Sequence, residues 1–286
     1  MSLTIKAALS QARSQLAQSR AATPALDAEV LLSHVTCFDR AGLYREWQRT
    51  LTPEQESEFF AVVNERLSGV PVAYLTGHKE FMGLEFAVNP FVLIPRPETE
   101  LLVEEALRLA PAGAVIVDVG TGSGAVAVSL AFYRPDVRVY ATDQSSGAID
   151  TAQLNAGCHG VGDRITFFRG DLLEPLSGLN LTGRVDLLAA NLPYIPTGDL
   201  PSLPREVRLF EPESALDGGA DGLELYRRLF PDAADMLRPG GILLAEIGCG
   251  QSKAVGEILK PPLWNVTILK DLAGRDRLVS GRKMDD

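Results

Sequence analysis

Through the first 75 or so residues, apolar side chains recur at steps of three and four. Ile5, Ala8, Leu9, Ala12 and Leu16 form one such stripe, and Phe59, Phe60, Val63 and Leu67 form another. That spacing predicts short amphipathic helices. Thr23-Pro24 and Thr52-Pro53 each place a capping hydroxyl before a proline suited to a first helical turn, and Gln55 completes a capping box with Thr52. Between about 72 and 90 the period changes to two. Leu84, Phe86 and Val88 alternate with Glu85 and Ala87 after a Met82-Gly83 turn, which predicts a β-hairpin.

From about residue 97 onward, apolar runs alternate with helical patterns. A helix is predicted near 97–109, a strand at Ala114–Val119, a helix from Ala125 and a strand at Val137–Thr142. Further strands are predicted at Ile165–Phe168, Val185–Ala190, Ile242–Ile247 and Trp264–Leu269. Such alternation predicts an α/β fold with a mostly parallel, doubly wound sheet covered on both faces. The expected division is a helical domain over residues 1–75, a hairpin linker over 76–90 and an α/β domain over 91–286.

Composition narrows the class. With 46% hydrophobic and 22% charged residues among 286, the chain is that of a globular protein with a substantial core, not a disordered or fibrous one. The 27 basic residues against 37 acidic ones leave a net charge of -10, nearly all of it after residue 75. That excess opposes broad binding to nucleic-acid phosphates, so no stable nucleic-acid complex is expected. The first ten residues lack the features of a signal peptide, and no apolar run approaches the roughly 18 residues of a membrane span, so a cytoplasmic protein without membrane association is expected. Cys37, Cys158 and Cys249 are too scattered to predict a disulfide framework, and with His34, His78 and His159 they show no metal-ligand spacing.

The strongest chemical signal is Val-Ile-Val-Asp-Val-Gly-Thr-Gly-Ser-Gly over Val115–Gly124, a buried strand that ends in glycines and opens onto a helix. Glycines there allow the backbone to approach a ligand at the carboxyl edge of the sheet. The dinucleotide fingerprint G-x-G-x-x-G is not met, because Gly124 comes one position early and Ala125 holds the expected place. The G-x-G-x-G spacing, with Asp118 two residues before it, resembles the first motif of S-adenosylmethionine-dependent methyltransferases. Gly120, Thr121, Gly122, Ser123 and Gly124 are therefore candidate cofactor residues. Asp143 ends the next strand 19 residues after Gly124, where a carboxylate can accept from both ribose hydroxyls of an adenosine. Asp171 and Leu172 end the third strand, placed to accept from an adenine amino group and to pack on its ring.

The fourth strand delivers Asn191-Leu192-Pro193-Tyr194 to the same edge. The Asn191 oxygen together with a backbone carbonyl can accept both hydrogens of a planar NH2 group and aim its nitrogen at the methyl of a bound sulfonium. Tyr194 could stack on the amide or base plane. Asn191, Pro193 and Tyr194 are the catalytic candidates, with Leu192 beside them in the acceptor site.

Several runs resemble the PrmC/HemK family, the N5-glutamine methyltransferases of peptide chain release factors. They include Tyr74-Leu75-Thr76-Gly77, Glu80-Phe81-Met82-Gly83-Leu84, Ile94-Pro95-Arg96-Pro97-Glu98-Thr99-Glu100, Glu246-Ile247-Gly248 and Asp271-Leu272-Ala273-Gly274-Arg275-Asp276-Arg277. The resemblance spans nearly the whole chain. It implies S-adenosylmethionine as cofactor, held at Gly120–Gly124 and Asp143. It also implies a release factor as partner, with the glutamine of its Gly-Gly-Gln motif held at Asn191–Tyr194. The family usually carries Asn-Pro-Pro-Tyr, whereas this chain has Leu192 at the first proline. Asn-Leu-Pro-Tyr resembles the motif of ribosomal RNA adenine dimethyltransferases, so methylation of RNA adenine at N6 stands as the alternative.

Overall fold

A computed structural model describes residues 2–18 and 22–284, which form two compact units. One comprises the chain up to His78 together with Pro204–Phe210; the other comprises Lys79–Leu203 and the chain from Glu211 onward.

The first unit is helical: α1 (Ile5–Gln18), α2 (Pro24–Thr36), α3 (Arg40–Arg45), α4 (Pro53–Ser68) and α5 (Val72–Thr76). All five residues of the first predicted stripe are buried in α1, and they pack with Leu31, Leu32, Leu43, Phe59 and Val63 in one core. The predicted capping box at the start of α4 is formed, with Thr52 accepting from Gln55 N and Gln55 accepting from Thr52 N. Thr23 makes no such cap and instead donates its hydroxyl to Asp27 at 2.7 Å. Asp27 also accepts from Arg66, a part-buried guanidinium that pairs in turn with Glu206.

In the second unit, β1 (His78–Phe81) and β2 (Leu84–Ala87) form the predicted hairpin. Met82 and Gly83 sit at φ of 53° and 70°, the pair of positive angles that a type I′ turn requires. A 3₁₀ turn at Pro97–Thr99 leads into α6 (Glu100–Leu109). The sheet then runs β3 (Val115–Val119), β4 (Arg138–Asp143), β5 (Ile165–Arg169), β6 (Val185–Ala190), β7 (Leu237–Glu246), β8 (Trp264–Lys270) and β9 (Asp276–Lys283). Helices α7 (Ala125–Tyr133), α8 (Ser146–Cys158), α10 (Glu224–Met236) and α11 (Ser252–Ile258) lie between strands, whereas α9 (Arg205–Phe210) belongs to the first unit.

The order across the seven-stranded sheet is β5-β4-β3-β6-β7-β9-β8. Pairing is parallel from β5 through β7, and β9 is antiparallel to both its neighbours. Two apolar clusters cover the two faces, one built on α6 and α7, the other on α10 and α11. Because β3 pairs with β4 on one side and β6 on the other, the strand order reverses at β3, and a crevice opens outside the carboxyl ends of these strands. The register places Val119 beside both Thr142 and Ala190. Gly120, Asp143 and Asn191 therefore leave three adjacent strand tips at one level.

Candidate active site

A cleft opens at that edge, lined by Gly120–Ser123, Asp143, Asp171, Leu172, Asn191, Leu192 and Pro193, and also by Phe91, Arg96 and Thr99. On one side of it the glycine turn is pinned to the neighbouring strand, since Gly120 N and Thr121 N both donate to Thr142 O, at 2.9 and 3.0 Å. Gly124 has φ +80°, and a Cβ there would stand 3.0 Å from that of Ala152, so only glycine lets α8 approach this closely. Asp118, buried beneath the turn, accepts from the Thr121 hydroxyl at 2.7 Å and from Ala127 N at 3.2 Å.

Asp143 holds the next side of the cleft. One carboxylate oxygen accepts from Gly122 N and the other from Ser145 N, each at 2.9 Å. Burial pushes this carboxyl above the ordinary range, against the pull of these backbone donors. The N-cap of α8 is Ser145, which accepts from Ala148 N, so Asp143 is left at the cleft and does not serve as the cap. Asp171 is half exposed and paired with Arg228, and Leu172 follows in a left-handed conformation with φ 46°.

Opposite the glycine turn lies the Asn191–Tyr194 segment. Leu192 is 4% exposed, and its side chain would stand 2.9 Å from a Cβ placed on Gly120. The departure from proline thus contributes a packed side chain as well as a carbonyl. Glycine packs closely around this segment: a Cβ on Gly222, at φ +77°, would fall 2.1 Å from Tyr194 O. Gln251 Nε2 donates to that same carbonyl at 2.9 Å. Asn191, Leu192 and Pro193 line the cleft, whereas the Tyr194 hydroxyl is turned to Glu246, to which it donates at 3.2 Å. Burial and the adjacent Glu246 carboxylate raise the Tyr194 phenol well above its usual value.

Several residues with no role predicted from sequence complete the site. Thr99, at the end of the 3₁₀ turn, donates its hydroxyl to Glu246 at 2.7 Å and accepts from Asn191 Nδ2 at 3.0 Å. Tyr226 donates to the Glu246 backbone carbonyl and accepts from Leu192 N. Arg277 Nη1 donates to the Tyr194 hydroxyl at 3.5 Å, while Asp271 holds the other end of the same guanidinium. Glu211, whose side chain is buried, pairs with Arg96 and accepts from Ile94 N. Arg96 and Glu100, the latter accepting from Met82 N, are therefore structural partners as well as members of the Ile94–Glu100 run. Glu246 carries part of the family resemblance, and the signal for a role at the site is a carboxylate closing the otherwise apolar strand Ile242–Ala245, at the edge where the other candidates end.

The profile of the PrmC N-terminal domain matches residues 7–77, and that of a methyltransferase domain matches residues 116–210. A release factor glutamine methyltransferase of Moorella thermoacetica is 48% identical over 279 residues, covering 96% of this chain and 97% of that one. One of Geobacter sulfurreducens is 44% identical over 280 residues, covering 98% and 96%. The crystal structure of a ribosomal protein L11 methylase from Lactobacillus delbrueckii subsp. bulgaricus is 21% identical with a TM-score of 0.51, over 69% of this chain and 84% of that one, a likeness of fold. No helix among the described residues is long and apolar enough to cross a membrane. With a methyltransferase fold, a glycine turn and Asn191–Pro193 lining one cleft, and relatives this similar over nearly their full length, the chain belongs to the release factor glutamine methyltransferase family.

Proposed function

We propose that this protein transfers a methyl group from S-adenosylmethionine to the side-chain amide nitrogen of the glutamine in the Gly-Gly-Gln motif of peptide chain release factors. The observation that carries this reading is the cleft lined together by Asn191, Leu192, Pro193, Gly120–Ser123 and Asp143. The donor set fits the cofactor: Asp143 is a part-buried carboxylate whose remaining lone pairs suit a vicinal diol, and Gly122 presents no Cβ to the space beside it. Asp171 and Leu172 are assigned to the adenine. Once bound, the sulfonium supplies an electrophilic methyl group.

The rest of the task falls to this chain. An amide nitrogen is a weak nucleophile because its lone pair is delocalised into the carbonyl. The Asn191 side-chain oxygen and the Leu192 carbonyl accept its two hydrogens, fix the NH2 plane and aim the nitrogen along the line of transfer. Drawing on both N–H bonds also raises electron density at the nitrogen. Pro193 fixes the backbone that presents these two oxygens, and Tyr194 closes the acceptor side.

Residues 1–75 are assigned the docking of the folded factor, residues 76–90 the link, and residues 91–286 the chemistry. The adenine alternative is not favoured: the relatives at 48% and 44% identity carry the glutamine activity in their names, and the net charge of -10 opposes an RNA substrate. Incubating the protein with methyl-labelled S-adenosylmethionine and either a purified release factor or ribosomal RNA, at one salt concentration, separates the two. Label is expected in the factor; label in RNA alone would overturn the proposal.

A further inference from the structure

Asn191 carries an oxygen and an NH2 group on one planar amide, and only one orientation serves an acceptor whose own NH2 must be received. What selects that orientation lies outside the Asn-Leu-Pro-Tyr segment. The Thr99 hydroxyl has a single proton, and it lies 2.7 Å from Glu246 Oε2. The other Glu246 oxygen is 3.2 Å from the Tyr194 hydroxyl. Arg277 is a donor only, and its Nη1 faces Tyr194 Oη. Tyr194 therefore receives from Arg277 and spends its own proton on Glu246. With both carboxylate oxygens accepting, Glu246 leaves Thr99 only lone pairs to offer Asn191. The Asn191 NH2, 3.0 Å away, fills that place, and its oxygen must face the opposite way.

We propose that Glu246, acting through Thr99, is the positioning residue that holds the Asn191 amide with its oxygen toward the acceptor site. The inference rests on the assignment of Asn191 as holder of the acceptor amide. Glu246 is suited to the task because it is 2% exposed and ends β7 beside β6, so it cannot be replaced by water or swing away. Burial pushes its carboxyl above the ordinary range, and the Thr99 hydroxyl, Arg277 on β9 and the Tyr194 hydroxyl pull it back toward the ionised, accepting form, with Glu98 on the 3₁₀ turn the nearby like charge. Tyr226, on α10, donates to its backbone carbonyl. The same carboxylate thus orients Asn191 through Thr99 and anchors Tyr194 directly. This ties the Ile94–Glu100 run, the Asn-Leu-Pro-Tyr segment and the end of β7 into one hydrogen-bonded unit.

The test is a double-mutant cycle on the intact enzyme with a release factor as acceptor. Thr99→Val keeps the shape of a buried side chain and removes the relay, so Asn191 loses its orienting partner. Loss of alignment at that level is expected to lower kcat roughly 10- to 100-fold, with the affinity for S-adenosylmethionine, read by calorimetry, within about threefold of wild type. Thr99→Ser, which restores the hydroxyl, is expected to recover most of that loss. Because Thr99 acts through Asn191, adding Thr99→Val to Asn191→Ala should cost nothing more. Should Thr99→Val fail to fold, Glu246→Gln takes its place in the cycle, since its NH2 offers a donor where a carboxylate accepts.

Three outcomes overturn the inference. Wild-type kcat in Thr99→Val beside a collapsed Asn191→Ala removes the relay and leaves the proposed function standing. Additive losses place the effect of Thr99 elsewhere than on Asn191. Wild-type kcat in Asn191→Ala itself removes the functional assignment of Asn191, and the relay with it.

Discussion

The backbone N–H of Leu192 points at the hydroxyl of Tyr226 on α10, 3.3 Å away. That bond links the acceptor segment to the helix behind it, and through Tyr226 to the backbone of Glu246. Leu192→Pro, which would restore the usual family pattern, therefore removes a donor in use and replaces a leucine packed over the Gly120 turn with a smaller ring. The expected result is a loss of about 1–3 kcal/mol in stability, with no gain in turnover. Urea unfolding and initial rates on a release factor check it; a stable variant with raised activity would show that neither the N–H nor the side chain matters here.

Asp143 holds the glycine turn as well as facing the cleft, since its oxygens accept from Gly122 N and Ser145 N. Asp143→Ala is therefore expected to weaken S-adenosylmethionine binding by one to two orders of magnitude, given roughly 1.5–3 kcal/mol for each hydrogen bond to a charged group before water compensates. Asp143→Asn, which keeps one acceptor oxygen, is expected to fall between. Calorimetry gives the ranking, and equal affinity in all three proteins would move the ribose partner elsewhere.

Much of this site was legible because its residues end strands. The runs Val115–Val119 and Val185–Ala190 are apolar enough to be read as buried strands, so whatever follows them lies at the sheet edge. The stripe of α1 and the capping box of α4 were equally plain. Strand β9 was not predicted. Its sequence, Asp-Arg-Leu-Val-Ser-Gly-Arg-Lys, has only Leu278 and Val279 as large apolar residues, because Arg277 is buried by pairing with Asp271 and Gly281 leaves room for Trp264. Periodicity cannot register an arginine that is buried by pairing with a carboxylate in the turn six residues before it. Thr99 and Glu246 stand in runs that carry the family resemblance, but their joint role was not legible, because it depends on a bond between positions 147 residues apart.

Asp118 is fully buried, and burial pushes its carboxyl up to about 7, partly opposed by Thr121 and Ala127 and aided by the charge of Asp143. A carboxyl whose native pKa exceeds its unfolded value binds more protons when folded, so it adds stability at low pH that is lost as pH rises from about 4 to about 7. Asp118→Asn keeps an oxygen for both donors and cannot titrate. Across that window the wild type should lose stability relative to the variant. Urea midpoints of both proteins at a series of pH values test this, and parallel curves would contradict it.

If residues 1–75 dock the folded factor, an intact release factor should be a far better substrate than a short Gly-Gly-Gln peptide, through KM more than through kcat. Steady-state kinetics on both acceptors decide it. Equal KM values would leave the helical unit without a part in recognition.

The acceptor assigned to Asn191 and Leu192 is a glutamine side-chain amide. Tandem mass spectrometry of the Gly-Gly-Gln peptide from a release factor incubated with the enzyme and S-adenosylmethionine tests it most directly. The predicted result is one added methyl group on the side-chain nitrogen of that glutamine, absent when Asn191→Ala replaces the wild type. An unmodified glutamine beside a methylated residue elsewhere in the factor would contradict it.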